Sequence, residues 1–248
     1  MIPTLTAPAQ WRQVDLLSDL HLGPDTPGTF ARLEKHLAQT PADAVLLLGD
    51  VFEVWVGDDS RHQPFEASCV AMLKRASQRL GLFFMHGNRD FLVDTDMLAD
   101  CGMTALPDPT LLSAFGERWL LVHGDEQCMS DTAYQLFRNQ VRSPQWQAEL
   151  LAQPLAARQA LARQMREGSR AAQAAQLQAS DLDADVCRAL LDEAGAKTMI
   201  HGHTHRPGEH DIGHGMKRIV LSDWDLDATP PRGDVIRLSA AGLQRIPL

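Results

Sequence analysis

The chain has 248 residues, 44% of them hydrophobic and 22% charged, which suits one large domain or a domain carrying an insertion. Its formal net charge of -9 argues against broad nucleic-acid binding, because phosphate backbones are held mainly by basic surface. No apolar run approaches the roughly 20 residues of a membrane span, and the N-terminal "MIPTLTAPAQWRQ" lacks the basic-then-apolar pattern of a leader, so a cytosolic protein is expected, one still able to rest on a membrane.

The first strand signal is "QVDLLSD", followed by helical periodicity over 29–39, then "DAVLLLGD", a second helical stretch over 64–79, and "GLFFMHGN". This alternation predicts an α/β sheet with polar loops at the carboxyl ends of its strands, where open sheets place ligands. "RWLLVHGD" and "KTMIHGHTH" end in the same way. Between them, over 130–193, alanine, glutamine and arginine dominate and helix starts occur at "SPQW" and "SDLD", so a helical insertion is expected. Residues 134–180 hold six arginines (138, 142, 158, 163, 166, 170), no lysine and two glutamates (149, 167), a net of +4 that leaves -13 on the remainder. Too few acids lie within the segment to pair these arginines, which suggests an anionic partner; solvated helix faces are the plainer alternative. After residue 200, "RIVLSDW", "GDVIRLS" and "GLQRIPL" predict a second sheet packing on the first. The expected organisation is a core over 1–129 and 194–248 interrupted by a helical cap over 130–193. Cys69, Cys101, Cys128 and Cys187 are scattered without a CxxC pair, as for free thiols in a reducing compartment.

The polar residues after these strands form one set of candidate metal ligands: Asp19, His21, Asp50, Asn88, His123, His203 and His205. If each strand continued, Asp19 and His21 would share a face, as would His203 and His205, because side chains two apart point the same way. Carboxylate, amide and imidazole donors without thiolate suit Mn, Fe, Zn or Co better than Ca. Seven ligands exceed what one catalytic ion with an open position uses, so two ions are expected. Taken singly each motif is weak; their common position after apolar strands makes them a site.

Together "SDLHLG", "LLGDVFEVWVGDD", "HGNRDFLV", "VHGD" and "HGHTHRP" resemble the calcineurin-like metallophosphoesterases, and more narrowly the UDP-2,3-diacylglucosamine diphosphatase branch of lipid A synthesis, over residues 13–222. The resemblance implies a two-sheet αββα sandwich with a helical cap. It implies one ion on Asp19, His21 and His205, another on Asn88, His123 and His203, and Asp50 bridging both, most plausibly Mn2+. It implies hydrolysis of the pyrophosphate of UDP-2,3-diacylglucosamine to UMP and 2,3-diacylglucosamine 1-phosphate, with water activated between the ions attacking the α-phosphorus. Asp50, Asn88, Arg89 and His203 would be catalytic. Asn88, Arg89, Asp131, Tyr134, Arg166, Ser169 and His203 would contact substrate, as would Gln173 and Gln176, where some relatives carry asparagine and lysine. The branch also implies peripheral attachment to the anionic cytoplasmic face of a Gram-negative inner membrane, with no obligate protein partner. Leu150, Leu151, Leu155, Leu161 and Met165 either line an acyl groove or contact the membrane, or else pack the cap against itself and the core. A soluble phosphodiesterase or phosphomonoesterase, and a metal-retaining scaffold that binds without turnover, are the competing readings.

Arg89 stands where many metal-dependent phosphoesterases place a histidine after Gly-Asn. Expelling a phosphate needs less acid help than expelling an alkoxide, and a guanidinium meets the charge growing on phosphoryl oxygens. A surface pair with Asp90 or Asp125 is the alternative role.

Overall fold

The structure, a computed structural model, describes residues 1–175 and 181–248, with side chains described outside 168–175. In chain order the elements are β1 (Thr4–Thr6), β2 (Gln13–Leu17), α1 (Pro27–Gln39), β3 (Ala44–Leu48), α2 (Pro64–Ser77), β4 (Gly81–Met85), α3 (Thr95–Cys101), β5 (Met103–Ala105), β6 (Thr110–Ala114) and β7 (Glu117–Leu121). Then come α4 (Thr132–Val141), α5 (Pro144–Leu151), α6 (Leu155–Ala175), α7 (Ala184–Ala194), β8 (Thr198–His201), β9 (Gly208–Gly213), β10 (Met216–Val220), β11 (Asp234–Ser239) and β12 (Gly242–Pro247). No helix among the described residues is long and apolar enough to cross a membrane.

Two six-stranded sheets form, in the orders β12-β11-β2-β3-β4-β5 and β1-β6-β7-β8-β10-β9. The strands after residue 200 therefore do not make a second sheet of their own. β11 and β12 complete the sheet begun by β2, while β9 and β10 join β7 and β8. A strand-end motif reports where a strand stops and carries no information about which sheet it enters.

Strand alternation builds the layers. Ala44, Leu46 and Leu48 of β3 point with Val14 and Leu16 into the space between the sheets, against Leu112, Trp119, Leu121 and Ile200. Val45 and Leu47 point the other way, against Leu33 and Leu37 of α1 and Met72 and Leu73 of α2. On the far side of the second sheet, Leu120 and Met199 meet Cys187 and Leu191 of α7. The result is an αββα sandwich. Helix α7, expected with the cap, packs on the core, and α4, α5 and α6 remain above the strand ends. Two predicted starts are visible as caps: Ser143 accepts from Trp146 N, and Asp183 accepts from Asp185 N and Val186 N. All four cysteines are buried free thiols.

One polar cluster interrupts the first sheet. Asp15 of β2 is fully buried, accepts from Arg237 of β11 at 2.6 and 2.8 Å and from Thr40 at 2.6 Å, and lies 3.1 Å from His36 Nε2. Burial pushes its carboxyl pKa upward, but the bonds from Arg237, His36 and Thr40 prevail and hold it at about 2. Because that lies below the unfolded value, the stabilisation, roughly 2 kcal/mol, is present above pH ~4 and is lost as pH falls through 2. Replacing Arg237 removes the guanidinium that neutralises a buried acid, so Arg237→Leu should lower the urea unfolding free energy by about 3–5 kcal/mol at pH 7, with a smaller deficit at pH 3. Equal deficits at both pH values would contradict the assigned pairing.

Candidate metal centre

The ligand-bearing loops leave β2, β3 and β4 of one sheet and β7 and β8 of the other, and they converge at one end of the sandwich. His21 Nε2 lies 3.3 Å from His205 Nε2, which is 3.3 Å from Asp19 Oδ1. Asn88 Oδ1 lies 3.1 Å from His123 Nε2 and 2.9 Å from His203 Nδ1, and Asp50 Oδ1 is 3.7 Å from His123 Nε2. Donor atoms of Asp19, His21 and His205 fall within 4.8 Å of one another, as do those of Asp19, Asp50 and His123. All seven expected ligands are thus brought together. Asp19 belongs to both groupings and Asp50 to the one that includes His123.

Strand periodicity is not what aligns them. β2 ends at Leu17 and β8 at His201, before the first ligand of each pair. Asp19 (φ 52), His21 (φ 47), Asp50 (φ 53), His203 (φ 66) and His205 (φ 53) all adopt left-handed backbone, and among the described residues they are five of the seven non-glycine residues that do so. Such conformations cost of order 1–3 kcal/mol each and persist where surroundings over-determine them. The two-residue spacing works here through strained loops that turn both side chains inward.

Several residues that hold these loops were not evident in sequence. Asp90 is fully buried and accepts from the backbone N–H groups of Val51 (2.7 Å), Gly87 (2.8 Å), Asp50 (3.3 Å) and Phe52 (3.4 Å). It ties the β3 loop to the β4 loop. Glycines beside the ligands give room: a Cβ on Gly87 would sit 2.1 Å from Asp50 Oδ1, and one on Gly202 would sit 2.3 Å from Asp19 Oδ2. The signal was present in "MHGN" and "HGHTH", where glycine precedes each ligand.

The electrostatics fit cations. Burial raises the Asp50 pKa, opposed by His123 and His21 and assisted by Asp90 and Asp19. Asp19 is also pushed up by burial, yet His205, His123 and His21 hold it well below the carboxylate range. Burial lowers His203 to about 4, helped by His123, and lowers His21. His123 reaches about 9, as Asp50, Asp125 and Asp19 overcome its burial. Ring nitrogens facing each other at 3.3 Å beside buried carboxylates form a donor set with anionic charge and no lysine or arginine inside it, the composition a pair of divalent ions needs. The His123 ring is already aimed, because Nδ1 lies 2.9 Å from the Leu48 carbonyl and leaves Nε2 for the centre.

Arg89 borders this set. Its backbone N donates to Asp50 Oδ1 at 2.8 Å, and its buried Nε has no hydrogen-bond partner among the described residues. The surface pair with Asp90 or Asp125 is not formed among the described residues: Asp90 is occupied by amides, and Asp125 accepts from Tyr134 Oη (2.6 Å) and Arg138 Nε (2.9 Å). Tyr134 also lies with its ring 6.0 Å from that of His203. Asp131 caps α4 by accepting from Tyr134 N.

The cap arginines find acids, but across the interface. Arg138 pairs with Asp125 and Glu126, Arg158 with Asp59, and Arg166 with Glu53; Arg142 donates to Gly87 O at 2.8 Å and lies 3.8 Å from Asp125. The expectation that these charges call for an external anion is corrected for these four, since the acidic core is their partner. Of the apolar cap residues, Leu150 is buried and Leu161 packs on the core, Leu155 and Met165 are half-buried, and Leu151 is exposed. The side chains of Ser169 and Gln173 and the whole of Gln176 lie outside the described residues.

Residues 13–207 match the sequence profile of the calcineurin-like phosphoesterases. The chain is 44% identical over 92% of its length, and 92% of the relative's, to a UDP-2,3-diacylglucosamine hydrolase of Bordetella pertussis. It is 43% identical over 91% of its length, and 95% of the relative's, to a UDP-2,3-diacylglucosamine hydrolase of Xanthomonas axonopodis pv. citri.

The glycine contacts yield a direct test. Gly87→Ala should keep the circular dichroism of the parent while weakening Mn2+ binding about 10–100-fold by calorimetry, the usual cost of disturbing residues behind metal ligands. Parental affinity would show that Asp50 does not need this space.

Proposed function

Because the chain belongs to the calcineurin-like phosphoesterase family, we propose that it hydrolyses the pyrophosphate bond of UDP-2,3-diacylglucosamine, releasing UMP and 2,3-diacylglucosamine 1-phosphate. The observation that carries this reading is similarity over 91–92% of the chain to the UDP-2,3-diacylglucosamine hydrolases, with the seven candidate ligands and Arg89 gathered in one place.

Asp19, His21 and His205 would hold one divalent ion and Asn88, His123 and His203 the other, with Asp50 available to both; the oxygen and nitrogen donors suit Mn2+. When bound, paired ions lower the pKa of water and neutralise phosphoryl oxygens. Asp50 would serve both because a carboxylate has two oxygens, and the amide of Arg89 fixes one of them. Asn88 contributes a neutral oxygen where a further carboxylate would overload the centre with negative charge. Arg89 directs its guanidinium to the phosphoryl oxygens on which charge grows, with two parallel hydrogen bonds available. The buried Nε, which has no hydrogen-bond partner among the described residues, supports that use.

Asn88, Arg89 and His203 face the scissile group, Asp131, Tyr134 and Arg166 line the cap side, and Ser169, Gln173 and Gln176 are carried over as substrate contacts from the family resemblance alone. The Tyr134 hydroxyl is committed to Asp125, so its ring face is the part offered to a ligand beside His203. The protein meets the cytoplasmic face of the inner membrane of a Gram-negative bacterium through its cap, where Leu136 and Phe137 of α4, with Leu151, are exposed.

Purified protein with Mn2+ and UDP-2,3-diacylglucosamine should release UMP, and Arg89→Ala should lower kcat by about 10²–10³. Turnover of a simple phosphodiester without UMP release would contradict the substrate; an undiminished kcat in Arg89→Ala would contradict the charge clamp.

A further inference from the structure

Glu53 lies in the loop after β3 and faces two partners. Its Oε2 is 3.1 Å from His21 Nδ1, and its Oε1 pairs with Arg166 Nη2 on α6. The backbone beneath is locked, since Glu53 N donates to Leu22 O at 3.0 Å, Leu22 N donates to Val51 O at 2.9 Å, and Leu22 bridges Phe52. The other ring nitrogen of His21, Nε2, looks into the centre toward His205. A neutral imidazole carries one N–H and one lone pair, and a carboxylate beside Nδ1 draws the proton there, leaving the lone pair on Nε2. The contact has the length of a hydrogen bond without its alignment, so it acts chiefly through charge. The Leu48 carbonyl does the same for His123. His21 and Glu53 side chains are only 18% and 25% exposed, so water screens the pair weakly.

We propose that Glu53 is a positioning residue that orients His21 toward the metal and, through Arg166, seats the cap helix over the same ligand. The cap and the metal centre are then coupled through one carboxylate. This rests on the metal-centre reading and is independent of the lipid substrate.

Two readouts test it without substrate. Calorimetric titration of metal-stripped protein with Mn2+ should show Glu53→Ala weakened about 10–100-fold at one class of site, the range for removing a partner behind a metal ligand. Tryptic cleavage after Arg163, exposed on α6, should accelerate in Glu53→Ala and in Arg166→Ala. Glu53→Gln keeps the size of the side chain and removes the charge that faces both His21 and Arg166, so it should lose Mn2+ affinity and protection at Arg163 together; it also serves if the alanine variant fails to fold. A general structural role would lower the melting temperature of all three without changing Mn2+ affinity. Parental Mn2+ affinity in folded Glu53→Ala would overturn the ligand-positioning role, and unchanged cleavage would overturn the cap role. Failure of either leaves UMP release unaffected as a test of the substrate.

Discussion

Asp19 and Asp50 bring two carboxylates within 4.8 Å of one another and of His123, at 0% and 2% exposure. Like charges at that separation repel by about 3–4 kcal/mol at an effective dielectric near 20. Protons shared with the surrounding imidazoles relieve this only in part, as Asp50 is pushed up while Asp19 is held low. Divalent cations relieve it fully, and their binding free energy then adds to the stability of the fold. Other local features follow from keeping these groups close: left-handed ligands, the Asp90 carboxylate clasping four amides, and glycines that a methyl group cannot replace.

The same surplus of acid explains how the cap sits. A segment with a net of +4 lies over a remainder of -13, and its arginines reach down to Asp125, Glu126, Asp59 and Glu53. Arg158, only 4% exposed, also donates to the Val56 carbonyl and so joins α6 to the loop of the first sheet. Partly buried pairs of this kind set register and orientation more than they add stability. They place the cap beside the metal ligands, and they leave apolar side chains such as Leu136 and Phe137 on its outer surface.

Much of this was legible in the sequence because two different codes operate. Alternation in "AVLLL" fills both faces of a central strand, and the polar residues that follow such runs lie near strand ends, so the set of seven candidate ligands was readable from their common position. Sheet membership was not, because pairing partners are set by long-range packing: β11 rejoins β2 through Asp15 and Arg237, which are 222 positions apart. Nor were the supporting acids. Asp90 and Glu53 look like ordinary loop charges in "NRDF" and "VFEV", and only the folded chain shows one buried beneath four amides and the other between His21 and Arg166.

The central claim is that these acids are gathered to hold two divalent ions with Asp50 between them. Equilibrium dialysis of the metal-stripped protein against Mn2+, followed by elemental analysis, measures this directly. The account predicts about two ions per chain, and fewer in Asp50→Ala with the fold retained. A saturating ratio of one, or a ratio untouched by Asp50→Ala, would contradict it.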